Sequence, residues 1–285
     1  MRRLLIASAA LVLLPIAHAD TDTTNRTRCF SAAVCVTVVR TQSILDFDYE
    51  LLTDQPYTVA VTSTQRGLGA INHSLHFKTS QMPRAGKLFS YQIPAQGRWN
   101  YEWHIAIHVG EQTVQHESTA VYRLPFASGS SVRIIQAYDD PRSHTGSQRY
   151  AVDFSAPIGT EVRAARAGVV VGADGTSNES SSDGVENARA NYVWVRHSDG
   201  TIGYYLHLRQ RGVAVTTGQA VKAGQLLGYS GCTGRCTGPH LHFHVSTPLQ
   251  ARDDVKFEAY KTFPAVFATA NGVEFVEAGR SYVVP

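Results

Sequence analysis

The chain reads as mostly β: a small N-terminal β domain followed by a twisted antiparallel β-sheet domain with an open groove. Three observations predict this. Short β-prone runs recur along nearly the whole length, separated by glycine and other turn residues. Almost no segment carries a helical period. Where a strand is legible in full, as in "YEWHIAIHV" and "HLHFHV", apolar and polar side chains alternate.

The first residues stand apart. In "MRRLLIASAALVLLPIAHAD", Arg2 and Arg3 precede an apolar run, and "AHA" supplies small residues for cleavage after Ala19. This predicts a signal peptide over residues 1–19 and a periplasmic or secreted mature chain. The run is broken by Pro15 and is short of the roughly 20 residues a spanning helix needs, so no transmembrane segment is expected in the mature protein. The formal charge of +3 falls to about +1 without Arg2 and Arg3. With no long Lys/Arg stripe, nucleic acid is not an expected partner. Four cysteines fall in two close pairs, Cys29/Cys35 and Cys232/Cys236. In an exported chain they read as two local disulfides that pin backbone and add little global stability.

From residue 20 to about 125, "VCVTVVR", "YTVAVTS", "HSLHFKT", "KLFSYQI" and "YEWHIAIHVG" predict the N-terminal β domain. His104, His108 and His116 are read as polar-face residues in solvent, and nothing here carries recognisable chemistry. "LPFASGS" (Leu124–Ser130) is the expected connector. Residues 131–250 then give "SVRIIQAY", "YAVDFSAP", "TEVRAARAGVVVGA" and "LHFHVST" as strands, with residues 251–285 as a C-terminal extension packing on the core. "VRHSDGTIGYY" predicts a hairpin turning at Asp199-Gly200. "DGTSNESSSDGVENARA", with Asp174, Asp183 and Glu186, predicts a polar loop at a rim.

The chemistry concentrates late in the chain. Read as a strand, "GPHLHFHV" puts His240, His242 and His244 on one face, and Leu241, Phe243 and Val245 on the other. Imidazole is both a zinc ligand and a proton shuttle near neutral pH. In "SHTGSQRYAVDFSAP", Asp153 lies between Val152 and Phe154, a costly place for a carboxylate unless it is paired or metal-bound. His144, Asp153 and one histidine of the late motif would make a two-histidine, one-carboxylate zinc set with a position left for water. In "TIGYYLHLRQ", alternation assigns Gly203, Tyr205 and His207 to one face, against Tyr204, Leu206 and Leu208. Ser155 and Ser230 read as turn or packing residues. Asn191, opening a hairpin strand, reads as a hydrogen-bonding residue within the sheet.

Together, "HTGSQRYAVDFSAPIGTEVRAARAGVVV", "NYVWVRHSDGTIGYYLHL" and "VKAGQLLGYSGCTGRCTGPHLHFHV" resemble the lysostaphin-type zinc metallopeptidases, over about Ser131–Ser246. The resemblance implies one Zn2+ per chain, held by His144, Asp153 and His242. It implies His240 as general base or transition-state stabiliser, and His207 as the residue that bonds the developing oxyanion or moves the proton. It further implies an endopeptidase acting on peptidoglycan stem peptides or cross-links. The N-terminal domain is left to brace the fold or to meet a protein partner. The alternative is a catalytically inactive binding or activator module of a cell-wall hydrolysis system. Two departures from the family pattern stand out. "SQRYAV" separates His144 from Asp153, and His244 occupies a position commonly held by glutamate. His244 is expected outside the ligand set, lining the groove or contacting a ligand.

Overall fold

Ile44–Leu51 illustrates how this chain makes strands. Leu45, Phe47, Tyr49 and Leu51 are buried, while Ile44, Asp46, Asp48 and Glu50 between them are not. That period of two marks a strand with one face on a core. The computed structural model describes residues 26–30, 33–54, 57–66, 71–95, 99–110, 116–182, 188–248 and 260–285. Among them, regular structure is strand, apart from two single 3-10 turns, Thr79–Gln81 and Gly146–Gln148. The expected signal peptide, Asp183, Glu186 and residues 251–259 lie outside the described residues. The rest fall into two compact units, residues 26–110 and residues 116–247 with 260–285.

The first unit is two antiparallel sheets. One runs in the order Arg26–Phe30, Val34–Arg40, Ile44–Leu51, Ala85–Gln92. The other centres Tyr57–Arg66 between Ile71–Lys78 and Asn100–Val109. They pack face to face through aromatic side chains: the Phe47 ring lies 5.9 Å from Trp103 and 5.8 Å from Tyr101 across the two sheets. Cys29 and Cys35 face one another in register on adjacent strands and are disulfide-bonded. His108 departs from expectation, being buried rather than solvated. Thr58, opposite it in register, is buried too.

The second unit is built on one long sheet whose neighbouring strands are all antiparallel. Its order is Ala220–Val221, Gly168–Asp174, Asn191–Arg196, Ile202–Val213, His240–Pro248, Val152–Ser155, Ser131–Gln136, Ser281–Val283. Register decides which side chains share a face. Val193, Tyr205, Phe243 and Val152 line up across four strands and enter the core with Leu241, Val245, Phe154 and Phe267. Burying each large side chain contributes about 1.5–3 kcal/mol. Two rows occupy the opposite face: Trp194, Tyr204 and His244, then Tyr192, Leu206, His242 and Asp153. The hairpin does turn at Asp199-Gly200, where Asp199 Oδ1 accepts from the Thr201 backbone N–H.

Composition misjudged the edges of this unit. Val121–Arg123, read with the first half, pairs in parallel with Val266–Thr269 of the C-terminal segment. Ser281–Val283 completes the long sheet beside Ser131–Gln136, with Phe267, Tyr282 and Val284 in the same core. Residues 260–285 are thus strands of this unit's own sheets.

Candidate metal centre

Asp153 lies in the Val152–Ser155 strand, directly opposite His242 in the His240–Pro248 strand. With Val152 and Phe154 held in the core, the carboxylate is forced to the other face, where it is almost fully buried. Its Oδ1 is 2.9 Å from His242 Nδ1 and 3.4 Å from His144 Nε2. Burial alone would raise its pKa, but contacts with His144 and His242 hold it well below the ordinary carboxylate value.

His144 arrives from the loop before the Gly146–Gln148 turn. Its backbone N–H donates to Asp140 O, and its Nδ1 lies 2.9 Å from Ala137 O. A carbonyl only accepts, so Nδ1 carries the hydrogen and the neutral ring turns a bare Nε2 inward. That Nε2 is buried with no hydrogen-bond partner among the described residues. Two electron-rich atoms 3.4 Å apart in a buried place call for a cation between them. In a metal-free site that cation is a proton. Burial opposes it on His144, but Asp153 outweighs burial and raises the imidazole's pKa. On His242 burial prevails and the pKa is lowered. The donor atoms of His144, Asp153 and His242 all lie within 4.8 Å of one another. Two imidazole nitrogens and a carboxylate oxygen are a donor set suited to zinc with an open position, so these residues fit the ion the sequence implies.

Two further imidazoles border this cluster. His240 Nδ1 is 2.8 Å from Gly238 O, and His207 Nδ1 is 2.8 Å from Thr233 O. Each carbonyl fixes the hydrogen on Nδ1 and leaves Nε2 as the acceptor. The two rings are 4.6 Å apart. His240 Nε2 is 3.9 Å from Asp153 Oδ1. Burial, and then the charges of His240 and His242, push the pKa of His207 down to about 3, so it is neutral at neutral pH.

The face assigned to His207 by alternation is wrong, and a β-bulge is the reason. Leu206 pairs with Tyr192 and Leu208 with Asn191, so His207 is the extra residue on its strand. Its φ is +65°, rare for a side-chain-bearing residue and costing on the order of 1–3 kcal/mol. The bulge returns Leu208 to the core beside Tyr205 and swings His207 onto the face of His240 and His242. Asn191 holds the Leu208 flank of the bulge. Its Nδ2 donates to Leu208 O, and its backbone N–H donates to Thr233 Oγ1, which itself donates to Leu208 O.

Thr233 belongs to the loop closed by the Cys232–Cys236 disulfide. Gly231 enters that loop against the backbone of Arg209, leaving no room for a side chain: a Cβ there would lie 2.4 Å from Arg209 N. The polar insert docks on the same loop. Ser180–Ser181 pairs in parallel with Gly234–Arg235, and Cys236 N–H donates to Ser181 O. Asp174 serves as a cap for Thr176.

His244 is buried beside His242, its Nδ1 3.0 Å from His242 Nε2. Its ring stacks on Tyr204 and on Tyr260. Other expected or conspicuous histidines are elsewhere. His104 and His108 belong to the first unit, His116 stacks on Phe263, and His197 is buried in the hairpin turn. Ser230 donates to Pro157 O and accepts from Thr160 N, a turn role as read. Thr233, Gly238 O, Tyr204 and Tyr260 were not foreseen. Tyr204 alone had a signal, sharing a strand face with Leu206 by alternation.

Comparison with known proteins bears on this site. The profile of Peptidase family M23 matches residues 147–254, beginning just after His144 and including Asp153, His207, His240 and His242. Peptidoglycan DD-endopeptidase ShyC of Vibrio cholerae is 48% identical over 91 residues, covering 32% of this chain and 18% of that protein. Peptidoglycan DD-endopeptidase ShyA of the same organism is 39% identical over 120 residues, 41% of this chain and 25% of that one. The chain thus spans about a fifth to a quarter of the length of these curated relatives. The solved structure of the antimicrobial peptidase lysostaphin from Staphylococcus simulans aligns at 33% identity, covering 42% of this chain and 44% of that one, with a TM-score of 0.33.

Proposed function

Because the profile of Peptidase family M23 matches residues 147–254, we propose that the chain is an exported zinc metalloendopeptidase hydrolysing peptide bonds in the stem peptides or cross-links of bacterial peptidoglycan. The observation that carries this is one constellation: three donor atoms within 4.8 Å of one another, bordered by two imidazoles whose Nδ1 hydrogens are already committed to carbonyls. His144 Nε2, Asp153 Oδ1 and His242 Nδ1 would hold Zn2+. When bound, zinc supplies a Lewis acid for the scissile carbonyl and acidifies a water at neutral pH.

The remaining roles belong to the chain's own residues. Nε2 of His240, on the partly open side of the cluster, takes the proton of the attacking water and returns it to the leaving amine. His207 is neutral, so at rest its Nε2 is an acceptor. It becomes a donor to the developing oxyanion only after a proton has entered the pair of rings. No side-chain nucleophile is needed.

Peptidoglycan as substrate is supported by relatives named peptidoglycan DD-endopeptidases. Export is supported by the basic-apolar N-terminus and by two disulfides. The presence of all five side chains favours catalysis over an inactive activator module. The first unit, which contributes none of them, is assigned to contact with a protein partner.

The test is digestion of purified sacculi with mass spectrometry of the released fragments. Wild type should contain about one zinc per chain and release peptide-cleaved fragments. His240→Ala and His207→Ala should keep the metal and lose activity by about 100- to 1,000-fold. Undiminished release by both variants would end the mechanism, and an intact, zinc-free wild type would end the metal centre.

A further inference from the structure

Resting on that reading of the metal centre, we infer that His244 is a positioning residue: it accepts a hydrogen bond from Nε2–H of His242 and so fixes the tautomer that turns His242 Nδ1 towards Asp153 and His144. The distance is right, 3.0 Å between His242 Nε2 and His244 Nδ1, with both rings buried. The His244 ring is clamped as well. It lies 4.5 Å from Tyr204 at 16°, and 5.5 Å from Tyr260 at 3°. The hydroxyl of Tyr260 accepts from Gln148, so the clamp is tied to the loop that delivers His144.

Valence decides the direction of the bond. A neutral imidazole has one donor nitrogen and one bare one, and only the bare one binds a metal. His144, His207 and His240 each commit Nδ1–H to a carbonyl, of Ala137, Thr233 and Gly238, and so present Nε2. In His242 the two nitrogens exchange roles. With zinc held between Nδ1 and Asp153, Nδ1 would be bare and Nε2 would carry the hydrogen, and the group facing Nε2 is the next site-facing side chain on its own strand. His244 therefore does for His242 what a carbonyl does for the other three. It keeps its own hydrogen on Nε2.

The test uses the full metal-free chain and zinc alone. Zinc affinity is read by competition with a chromophoric chelator in wild type, His244→Phe and His244→Asn. Phenylalanine keeps a flat ring against both tyrosines and has no acceptor. Asparagine puts its Oδ1 about where Nδ1 stood. Loss of a ligand histidine's outer partner weakens metal binding about 10- to 100-fold, which is the expectation for His244→Phe, with His244→Asn within a few-fold of wild type. Equal affinity in wild type and His244→Phe overturns the inference. A wild type that binds no zinc at all overturns the metal centre itself, and is thereby told apart. Should His244→Phe not fold, NMR of isotope-labelled histidines in zinc-loaded wild type decides. Hydrogen on Nε2 of His242 and a bare Nδ1 on His244 are expected, and the reverse pattern sinks the assignment.

Discussion

Two of the described strands carry histidines in an alternating row, and only one of these rows meets a carboxylate across the sheet. In Asn100–Val109 of the first unit, His104 and His108 stand opposite Thr62 and Thr58. In His240–Pro248 of the second, His242 stands opposite Asp153 on one side, and the bulged strand that follows Leu206 brings His207 to the other. The histidine patterns are similar, yet the cross-strand partners are not. A carboxylate fixed by two core-facing neighbours, and carbonyls that fix the tautomers of His144, His207 and His240, set the second row of imidazoles up as the proposed metal centre. The difference lies in what faces the histidines.

Removing the cross-strand carboxylate attacks that difference most directly. Asp153→Ala is expected to abolish zinc binding at stoichiometric metal, while His104→Ala leaves it unchanged. Metal content after gel filtration at equal protein concentration checks both. Zinc lost equally from the two variants would mean that the first unit's histidines take part, and the comparison would fail.

A smaller effect is expected from the loop whose carbonyls orient the two acceptor rings. Thr233 O and Gly238 O lie within and just beyond the Cys232–Cys236 ring. Replacing both cysteines (Cys232→Ser with Cys236→Ser) should lower kcat about 10- to 100-fold, since small misplacements of reacting groups are that costly. Zinc content should stay near wild type, because no ligand belongs to this loop. The short ring adds little to global stability, so the midpoint of unfolding is expected to move little. If metal and activity fall together, the loop supports the ligands and not only the acceptor rings.

How much of this was legible depended on whether the period of two survived. It survives through Val152–Phe154 and His240–Val245, so the placement of Asp153, His240, His242 and His244 away from the core followed from counting. It fails at His207, where one inserted residue reverses the faces and nothing in "YYLHLRQ" announces it. The orienting carbonyls of Ala137, Thr233 and Gly238 were invisible for a different reason: a backbone acceptor has no residue identity. The packing of His244 against Tyr204 and Tyr260 needed the pairing of strands far apart in sequence. The unit boundary is not legible in local composition, because Val121–Arg123 finds its partner in Val266–Thr269.

His197 sharpens the comparison at its weakest point, because it is buried like His242 yet has no carboxylate on its ring. Its Nδ1 meets Thr201 Oγ1 at 3.0 Å, and its ring lies 5.6 Å from Tyr122. Arg166, Asp199 and His116 are the charged or titratable groups around it, and Arg166 is engaged by Asp199 at 2.8 Å. Burial first, then the charge of Arg166, push the pKa of His197 down to about 3. A lowered folded pKa means that the unfolded chain binds the proton first. Its stabilising contribution is therefore whole above about pH 6.5, and is lost as pH falls from there towards about 3. Asp199, held low by Thr201 and Arg166 against burial, begins to matter only below about pH 4. Between pH 7 and 5 the loss from His197 is about 2 kcal/mol, or about 4–8 °C in the melting temperature of a unit this size. His197→Gln cannot take up that proton, so the gap between its melting temperature and that of wild type should narrow by this amount as pH falls from 7 to 5 in chelator-treated protein. A constant gap would mean that burial does not hold His197 neutral, and burial would then no longer separate it from the first unit's partly open His104.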